Sequence, residues 1–432
     1  MTILTISLIV LSSALLIATL PLIVELLVLT VAALVPSGSA IRNEENEEIP
    51  LRLAVIVPAH NEWAHIGRCV RSILASEPES VEVLVVAHNC SDNTALEAEH
   101  SGARVLKLND PSQSGKGCAL HYGFSRAQAE GFDAVLVIDA DSLVSSNLLQ
   151  AVRRRFILGA KVLQCRYEVH NADANQRTRL MSLAFVAFNV VRPRGRARLG
   201  LSAGIFGNGF ALHRDVMEKV PFGAHSVVED LEYHLSLVRA GIRVEFLNSA
   251  SVLGEMPVGD GGAATQRSRW EGGRLRMAKR WSLSLLGDVL RGRIWLVEPL
   301  LDLVGLPLAL EVLLLLVALC LPVVWLRIYA VAGFAVIGLH LLAAATYGPG
   351  LSASAGILLA VPGYIVWKLR MLPHIWKASR SDASWIRTHR DAPPALSMTP
   401  VTSAARSPHS QLPNPHTGNR VATQRKLSDE IV

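Results

Sequence analysis

Two carboxylates one residue apart, Asp139 and Asp141, directly follow the apolar run 135–138. Side chains two positions apart on an extended chain point to the same side, so this pair can present oxygens to one divalent cation. Hard cations such as Mg²⁺ take carboxylate oxygens and often share them with substrate phosphates. An Asp-x-Asp after a strand is also frequent in turns and helix caps. The pair therefore indicates a metal and diphosphate site only if other residues converge on it.

The elements before this pair alternate between strands and helices. Apolar runs predict strands at 53–57, 81–86, 104–106 and 134–138, and the patterns between them predict helices at 62–75, from 94, and up to about 130. Such alternation predicts an α/β fold with a mostly parallel sheet, wound right-handedly. Apolar runs without polar alternation are typical of strands that are buried on both faces.

Ligands of such sheets bind at the carboxyl ends of the strands. The candidate residues at these ends, besides the two aspartates, are Pro58, Ala59, Asn61, Glu62, His88 and Asn89. A Gly/Ser-rich loop, 112–117, adds Lys116. Asn61 has the alternative role of a helix cap, and Lys116 has the alternative of an ordinary solvated lysine. Three separate stretches of the chain are thus predicted to meet at one crevice.

The second half of the segment 50–260 is less regular. Its patterns predict helices at 175–191 and 228–240 and a strand at 243–246. A glycine-rich stretch, 204–209, precedes the apolar run 210–213.

Two parts of the chain are strongly apolar. Residues 3–35 contain one charged residue, Glu25, and residues 294–372 contain three apolar blocks. About 20 apolar residues are enough to span a bilayer. The first part is too long for a signal-peptide core and has no basic residue before it, so residues 1–37 are predicted to be a retained anchor. Residues 294–372 are predicted to form two to three spans.

Basic residues set the predicted orientation. Eight of them lie between 267 and 293, before the C-terminal spans, and this bias favours the cytoplasmic side of the inner membrane for the globular segment. Basic residues after 367 argue for the same side. The block 294–326 is therefore the expected interfacial or re-entrant one, because four residues interrupt it: Glu298, Asp302, Pro307 and Glu311.

The composition of the chain narrows the possible functional classes further. The net charge is +6, but no aromatic-interleaved basic module accompanies it, so no nucleic-acid partner is expected. Five scattered cysteines without a CxxC pair fit reduced thiols and give no metal signature. Residues 261–293 carry the basic, amphipathic pattern of a helix at a membrane surface. Residues 391–432, rich in Pro, Ser, Thr and Asn, are predicted to be disordered.

Seven short motifs occur in order along the chain. They are Val57-Pro-Ala-His-Asn-Glu62, His88-Asn-Cys-Ser-Asp92, Lys116-Gly117, Asp139-Ala-Asp141, Gly207-Asn-Gly209, Val228-Glu-Asp230 and Gln266-Arg-Ser-Arg-Trp270. Together they resemble the family-2 glycosyltransferases, specifically the membrane-integrated branch of the cellulose, chitin and hyaluronan synthases. The resemblance covers roughly residues 50–290. It implies a GT-A type fold over 50–260 and an inverting transfer from a nucleotide-diphospho-sugar.

The resemblance also implies roles for these residues. Asp139 and Asp141 would hold Mg²⁺ or Mn²⁺ on the diphosphate, with Asp141 as the better ligand. The residues expected to contact the donor nucleotide are Pro58, Ala59, Asn61, Glu62, His88, Asn89, Lys116 and Asp139. The residues expected around the donor and acceptor sugars are Gly207, Gly209, Gln266, Arg269 and Trp270. Trp270 offers a flat face to a sugar ring, or else to the membrane interface.

Asp230 is the expected general base, because an inverting transfer needs a carboxylate near the acceptor hydroxyl. Glu229 belongs to the same catalytic pair but is expected to point elsewhere, since adjacent residues on a helix do not share a face. Two acids at the start of a helix are also what the helix dipole favours.

His88 stands where the family usually has an aspartate that contacts the base. The expected function is membrane-bound, metal-dependent transfer from a UDP-linked sugar to a growing β-linked glycan. One alternative is the transfer of a single sugar to a membrane lipid. Another is an inactive homologue that serves as a scaffold, which His88 alone favours. Membrane lipids are expected partners, and the need for an accessory subunit stays open.

Overall fold

The computed structural model describes residues 3–36, 51–77, 81–113, 115–224 and 226–380. Eight strands form one sheet in the order β3-β2-β1-β4-β7-β6-β8-β5. The strands are β1 (Leu53–Ala59), β2 (Val81–His88), β3 (Arg104–Leu108), β4 (Ala134–Val137), β5 (Leu143–Val144), β6 (Val162–Val169), β7 (Phe210–His213) and β8 (Glu245–Gly254). The predicted tail 391–432 lies outside the described residues.

Strands β1 to β4 form the parallel part of the sheet. β1 pairs in parallel with β2, where Leu53 is opposite Val81, and with β4, where Leu53 is opposite Ala134. β2 pairs in parallel with β3. Residues 53–57 and all of β4 are buried, which explains why their sequences do not alternate. The connecting helices are α2 (Trp63–Ser76), α3 (Thr94–His100) and α4 (Lys116–Ala129). The predicted α/β fold with a mostly parallel sheet is confirmed.

The sheet changes direction at β7, which runs antiparallel to both β4 and β6. β8 pairs in parallel with β6 and antiparallel with β5. The predicted strand 243–246 is too short, because β8 continues to Gly254. Its register against β6 shifts between Cys165 and Arg166. Pairing with neighbouring strands therefore extends β8 through a stretch whose polar residues weaken the local strand signal.

Five helices fill the second half of the domain. They are α5 (Leu148–Ile157), α6 (Gln176–Val186), α7 (Arg192–Arg198), α8 (Arg214–Lys219) and α9 (Glu229–Arg239). Asn175 begins α6 with a capping box, in which its side chain accepts from the Thr178 amide. The predicted helix 175–191 does not end at its predicted boundary, because a π-turn over Ala187–Val191 leads directly into α7.

Six helices form the C-terminal part of the described chain. They are α10 (Asp260–Leu290), α11 (Val297–Val304), α12 (Leu308–Cys320), α13 (Val324–Tyr347), α14 (Leu351–Leu358) and α15 (Val361–Ala378). The N-terminal helix is α1 (Ile3–Leu34). Among the described residues, two helices are long and apolar enough to cross a membrane, Thr5–Leu34 and Val324–Tyr347, which indicates membrane association.

The apolar block 294–326 is broken. Helices α11 and α12 bend by 80° at a short break and can form a third, interrupted span. The break contains Gly305 and Pro307, and Pro307 directly precedes α12. Such residues end helices because Pro lacks the amide hydrogen and Gly adopts extended conformations freely. The last apolar block is divided into α14 and α15, and neither helix is both long and apolar enough to cross a membrane.

Candidate active site

A cavity of about 910 Å³ opens at the carboxyl ends of β1, β2 and β4. It collects the predicted site residues from all seven motifs except Asn61 and Gly209. The predicted residues that line it are Pro58, Ala59, Glu62, His88, Asn89, Lys116, Asp139, Asp141, Gly207, Glu229, Asp230, Gln266, Arg269 and Trp270. The stretches that were expected to meet at one crevice therefore do so.

Asp139 and Asp141 follow the end of β4, and the turn that carries them is held by Asn208, which lies just before the neighbouring strand β7. The Asn208 side chain accepts from the Asp139 amide at 3.1 Å and donates to the Ser142 hydroxyl at 2.8 Å. Asn208 is itself buried, and its carbonyl accepts from the Gln164 side chain at 2.8 Å. Sequence reasoning singled out the flanking glycines and missed Asn208 as the residue that positions the aspartates.

Lys116 is an internal cation of the site. Its ammonium donates to the Asp139 carboxylate and to the Gly207 carbonyl, and it lies 4.0 Å from the Glu229 carboxylate. Burial lowers the pKa of Lys116, but the carboxylates of Asp139 and Glu229 outweigh burial and raise the pKa above its ordinary value. The alternative of an ordinary solvated lysine is therefore wrong. The ammonium therefore neutralises carboxylate charge inside the cavity.

Glu229 and Asp230 are the first two residues of α9, and both line the cavity. The expectation that Glu229 points elsewhere is wrong. The reason is that the open first turn of α9 faces the cavity end-on, so neighbours about 100° apart around the axis both reach it. Burial raises the pKa of Glu229 to about 7 and also raises the pKa of Asp230. The Leu231 amide donates to the Asp230 carboxylate at 2.8 Å.

Two glycines of the site have positive φ for different reasons. At Gly207 (φ +76°) a Cβ atom would lie 3.0 Å from the Asp230 Oδ2, so the bare backbone lets this carboxylate approach. At Gly209 (φ +70°) a Cβ atom would lie 2.9 Å from the Val252 side chain. Gly209, just before β7, thus leaves room for the Val252 side chain of β8 and packs inside the domain, not at the cavity wall.

Asn61 and Asn89 hold the turns after β1 and β2. Both have the left-handed backbone conformation, with φ of 56° and 50°. The Asn61 side chain accepts from the Ser91 amide at 2.8 Å, so it joins the two turns and does not cap α2. The Asn89 side chain accepts from the Asp110 amide at 2.8 Å and donates to the Gln113 carbonyl at 3.0 Å. These amides shape the rim of the cavity.

His88, at the end of β2, is buried and lines the cavity. Its Nε2 has no hydrogen-bond partner among the described residues. Burial lowers the pKa of His88, so the ring is neutral at pH 7. Asp92, the acid that remains in this motif, accepts from the Thr94 amide at 2.9 Å and so fixes the start of α3. The neutral imidazole of His88 is thus a polar group that the end of β2 presents to the cavity.

Aromatic rings form one wall of the cavity. Trp270 lies 5.9 Å from Phe185, and Phe185 lies 5.4 Å from Tyr167, measured between ring centroids. All three line the cavity, and Gln266 is buried one helical turn before Trp270. Sequence reasoning missed Tyr167 and Phe185, because neither lies in a motif and they come from β6 and α6.

The donor set of the site fits a divalent cation that is shared with phosphates. Asp139 and Asp141 line the same cavity, and Asp139 already binds a cation, the Lys116 ammonium. No group of three or more His, Cys, Asp or Glu side chains that could hold a metal ion occurs in the described ranges. Two carboxylates are the usual protein contribution when substrate phosphates and waters complete an octahedral Mg²⁺ shell.

Comparison with known proteins identifies the family. A family described as glycosyltransferase like family 2 matches residues 50–273. A probable glycosyltransferase of Bacillus subtilis, YdaM, is 26% identical over 245 residues, which cover 53% of this chain and 56% of that protein. The glycosyltransferase GlyG of Streptococcus pneumoniae is 24% identical over 103 residues, which cover 23% of this chain and 33% of that protein. The chain therefore spans about half or less of the length of these relatives.

A solved structure has the same fold. The mannosyltransferase PcManGT from Pyrobaculum calidifontis, in complex with GDP-Man and Mn²⁺, superposes with a TM-score of 0.53 at 18% identity. The match covers 86% of this chain and 96% of that chain. The order of the motifs, the cavity at the strand ends and a family match over more than half of the residues agree, and the chain belongs to glycosyltransferase family 2.

Proposed function

We propose that this protein is a membrane-bound, inverting glycosyltransferase that uses a nucleoside diphospho-sugar, UDP-linked, and extends a β-linked glycan. The observation that carries the proposal is that Asp139, Asp141, Lys116 and Asp230 line one cavity at the strand ends of a family-2 fold. The orientation that the basic residues favour puts this cavity on the cytoplasmic side, where nucleotide-sugars are available.

The donor end of the cavity is formed by β1, β2 and β4. Asp139 and Asp141 would hold Mg²⁺ or Mn²⁺, which when bound neutralises charge on the diphosphate as the nucleotide leaves. His88 would offer its unpartnered Nε2 to the base. Lys116 supplies a fixed positive charge beside Asp139, and such preorganised charge stabilises the leaving diphosphate without reorganisation.

Asp230 is the proposed general base. Its carboxylate takes the proton of an acceptor hydroxyl, whose oxygen forms a bond to C1 of the donor sugar while the bond from C1 to the diphosphate oxygen breaks. Attack opposite the leaving group inverts the configuration at C1. Burial raises the pKa of Asp230, which makes it a stronger base than an exposed aspartate. Gly207 leaves room for this carboxylate at the cavity wall.

The acceptor end of the cavity supports two candidate acceptors. The ring of Trp270 could stack on a sugar of a growing glycan. The same cavity is also lined by apolar helices through Leu22, Leu308 and Leu341, and this apolar wall favours a lipid acceptor as the second candidate.

Release of nucleoside diphosphate tests the proposal. Purified protein in nanodiscs is supplied with UDP- and GDP-sugars, Mg²⁺ or Mn²⁺, and membrane lipids. We expect release from one donor, its loss with EDTA, and its loss in Asp141→Ala. The control is Asp215→Asn, which removes an exposed carboxylate on α8. If no donor in the panel releases nucleoside diphosphate and no nucleotide binds, the inactive scaffold would be favoured instead.

A further inference from the structure

The cavity of the active site extends into the membrane part of the molecule. Leu22 and Leu26 of α1, Leu308 of α12, and Ile337 and Leu341 of α13 line the same cavity as Asp139 and Asp230. Both α1 and α13 are long and apolar enough to cross a membrane. A ligand bound at Asp230 could therefore extend an apolar part between these helices.

A row of charged residues on α10 lies between the polar end and the apolar end of the cavity. Arg267, Glu271 and Arg274 are four and three residues apart, so they lie on one face of the helix, and all three line the cavity. Lys368 of α15 faces them. Its Nζ lies 2.9 Å from the Glu271 carboxylate, and the Arg267 Nε lies 3.6 Å from the same carboxylate oxygen. The Glu271 carboxylate therefore forms ion pairs with both Arg267 and Lys368.

Arg274 adds a third cation that is held by backbone carbonyls. Its guanidinium donates to the Asp302 carbonyl and to the Gly305 carbonyl, the latter at 2.9 Å. Within the part of the chain that the structure describes, no ion pair joins Arg274 to a carboxylate. Burial lowers the pKa of Arg274. The charge of the nearby Asp302 carboxylate opposes this lowering. The hydrogen bonds of Arg274, however, go to neutral carbonyls, so a bound anion would stabilise its charge further.

Two further arginines of the cavity are already paired. Arg192 contacts Glu25 and Asp302, and Arg196 contacts Glu298 and Asp302. Together with Arg274, which also acts on Asp302, these two arginines balance the three carboxylates Glu25, Glu298 and Asp302. The positive charge in excess is therefore that of Arg267 and Lys368 over Glu271. Arg274 lies beside them at the junction of the polar and apolar walls, with its hydrogen bonds to neutral carbonyls.

We propose that the acceptor is the second of the two candidates named above, a lipid, and that its phosphate binds at Arg267, Arg274 and Lys368. Its apolar tail would lie between α1, α12 and α13, and its hydroxylated headgroup would point to Asp230. The inference rests on the proposed function, since the headgroup oxygen forms the bond to C1 and its proton passes to Asp230. An acidic phospholipid and a polyprenyl diphosphate-linked sugar share this chemistry, with a phosphate between an apolar tail and hydroxyls.

Lipid binding tests this inference apart from catalysis. Full-length protein in detergent is titrated with phosphatidylglycerol, with a polyprenyl diphosphate-linked sugar and with the uncharged monoglucosyldiacylglycerol, and binding is read by native mass spectrometry. We expect at least one anionic lipid to bind about tenfold more tightly than the uncharged lipid, and the preferred anionic lipid identifies the source.

Charge variants locate the site. Lys368→Gln should weaken binding of the anionic lipid about tenfold, and Glu271→Gln should strengthen it, because the cations lose their internal partner. Neither should change binding of the uncharged lipid. Arg370→Gln removes an exposed charge on the same helix and should change nothing. Opposite effects of the two cavity variants cannot arise from a general loss of folding.

Three results would overturn the inference. The first is equal affinity of the protein for charged and uncharged lipids. The second is the same affinity for the anionic lipid in Lys368→Gln as in Arg370→Gln. The third is that Lys368→Gln weakens binding of the nucleotide-sugar donor and leaves binding of the lipid unchanged. Hydrolysis of the donor by water, measured without lipid, reports the proposed function separately. If hydrolysis persists while lipid discrimination is absent, the acceptor inference alone is wrong.

Discussion

The contact between Gly207 and Asp230 shows how the site depends on single atoms. Asp230 Oδ2 lies against the Cα atom of Gly207, where a Cβ atom would be 3.0 Å away. Gly207 also has a left-handed backbone, with φ of +76°, a conformation that costs other residues about 1–2 kcal/mol. The backbone at Gly207 therefore fixes both the turn within the glycine-rich stretch and the position of Asp230, the proposed general base.

Gly207→Ala should abolish most transfer activity while leaving the protein folded. The matched control is Gly241→Ala, because Gly241 has φ of +75° and a Cβ atom added there would have no neighbour within 4 Å. Both variants should lose about 1 kcal/mol of stability, measured as a shift in Tm. Only Gly207→Ala should lower kcat, by at least about tenfold, because its Cβ displaces the Asp230 carboxylate. Equal activity of the two variants would show that this contact does not position the base.

Glu229 gives the stability a pH dependence. Burial raises its pKa to about 7 from an ordinary value of 4.5, so between these values the folded protein binds more protons than the unfolded chain. Stability therefore falls as pH rises through this window. Glu229→Gln removes the cost of ionising a buried carboxylate. It should raise the free energy of unfolding at pH 8 by up to about 3 kcal/mol, with little gain at pH 4.

Thermal unfolding in EDTA, without donor, measures this effect at both pH values. Glu218→Gln, at an exposed position on α8, controls for the removal of one negative charge. A Glu229→Gln gain that is the same at pH 4 and at pH 8 would show that packing, not ionisation, causes it.

Individual residues of the site were predictable where a short motif carries them. Asp139 and Asp141 follow from a period of two at a strand end, and Asp230 follows from the resemblance. Asn208 was not found, because its role depends on a bond to Asp139, 69 residues away in the chain. The orientation of Glu229 also depended on tertiary structure. Helix geometry says that neighbouring residues point in different directions, but it does not say which part of the protein surrounds the first turn of the helix.

Among the helices and strands, α1 is fastened to the catalytic domain through α7. A Cβ atom on Gly195 of α7 would clash with the Leu29 carbonyl of α1, so the two backbones are in direct contact. Arg192 of α7 pairs with Glu25 of α1 and, at 2.8 Å, with Asp302 of α11. The membrane helix and the domain therefore form one packed unit.

Gly195→Ala should destabilise the protein, because the new methyl group meets backbone that cannot move aside. Such overpacking typically costs about 1–3 kcal/mol. Gly338→Ala on α13 is the matched control, since nothing lies within 4 Å of its Cβ position and alanine favours helix by about 1 kcal/mol. Tm in detergent should fall for the first variant and stay or rise for the second. A Gly195→Ala protein as stable as the wild type would refute the close packing.

The elements themselves were largely predictable in the parallel half of the sheet. Continuous apolar runs identify β1, β2 and β4, because strands buried on both faces need no polar residues. The full length of β8 and the π-turn before α7 were not predictable from local patterns. Both depend on partners, β6 for the strand and the packing of α7 against α1 for the helix, and pairing overrides local preference.

Across the whole molecule, α15 limits the possible membrane topologies. It packs on α10 through the Lys368–Glu271 pair at 2.9 Å and the bond from Arg276 to the Ala378 carbonyl at 2.9 Å. The last helix before residue 380 therefore lies against the helix that follows the catalytic domain. If α10 and α15 lie on the same side of a membrane, the number of crossings between them is even, and the broken helix α11–α12 together with α13 can supply two.

Cys320 tests this topology, because it is exposed at the end of α12. If α11–α12 crosses the membrane, Cys320 lies on the side opposite to the catalytic domain. A membrane-impermeant thiol reagent should then label it in intact cells, and Cys320→Ser should remove the label. Labelling of Cys320 only in inverted vesicles would show that α11–α12 is re-entrant and that the span count is lower.

The proposed function depends above all on Asp230 acting as the base within the shared cavity. Its decisive test compares sugar transfer and donor binding in the wild type and Asp230→Asn, with Asp215→Asn as the control at an exposed acid. We expect Asp230→Asn to bind the donor as the wild type does and to transfer sugar at least about 100-fold more slowly. Transfer at the wild-type rate by folded Asp230→Asn would show that another group takes the proton.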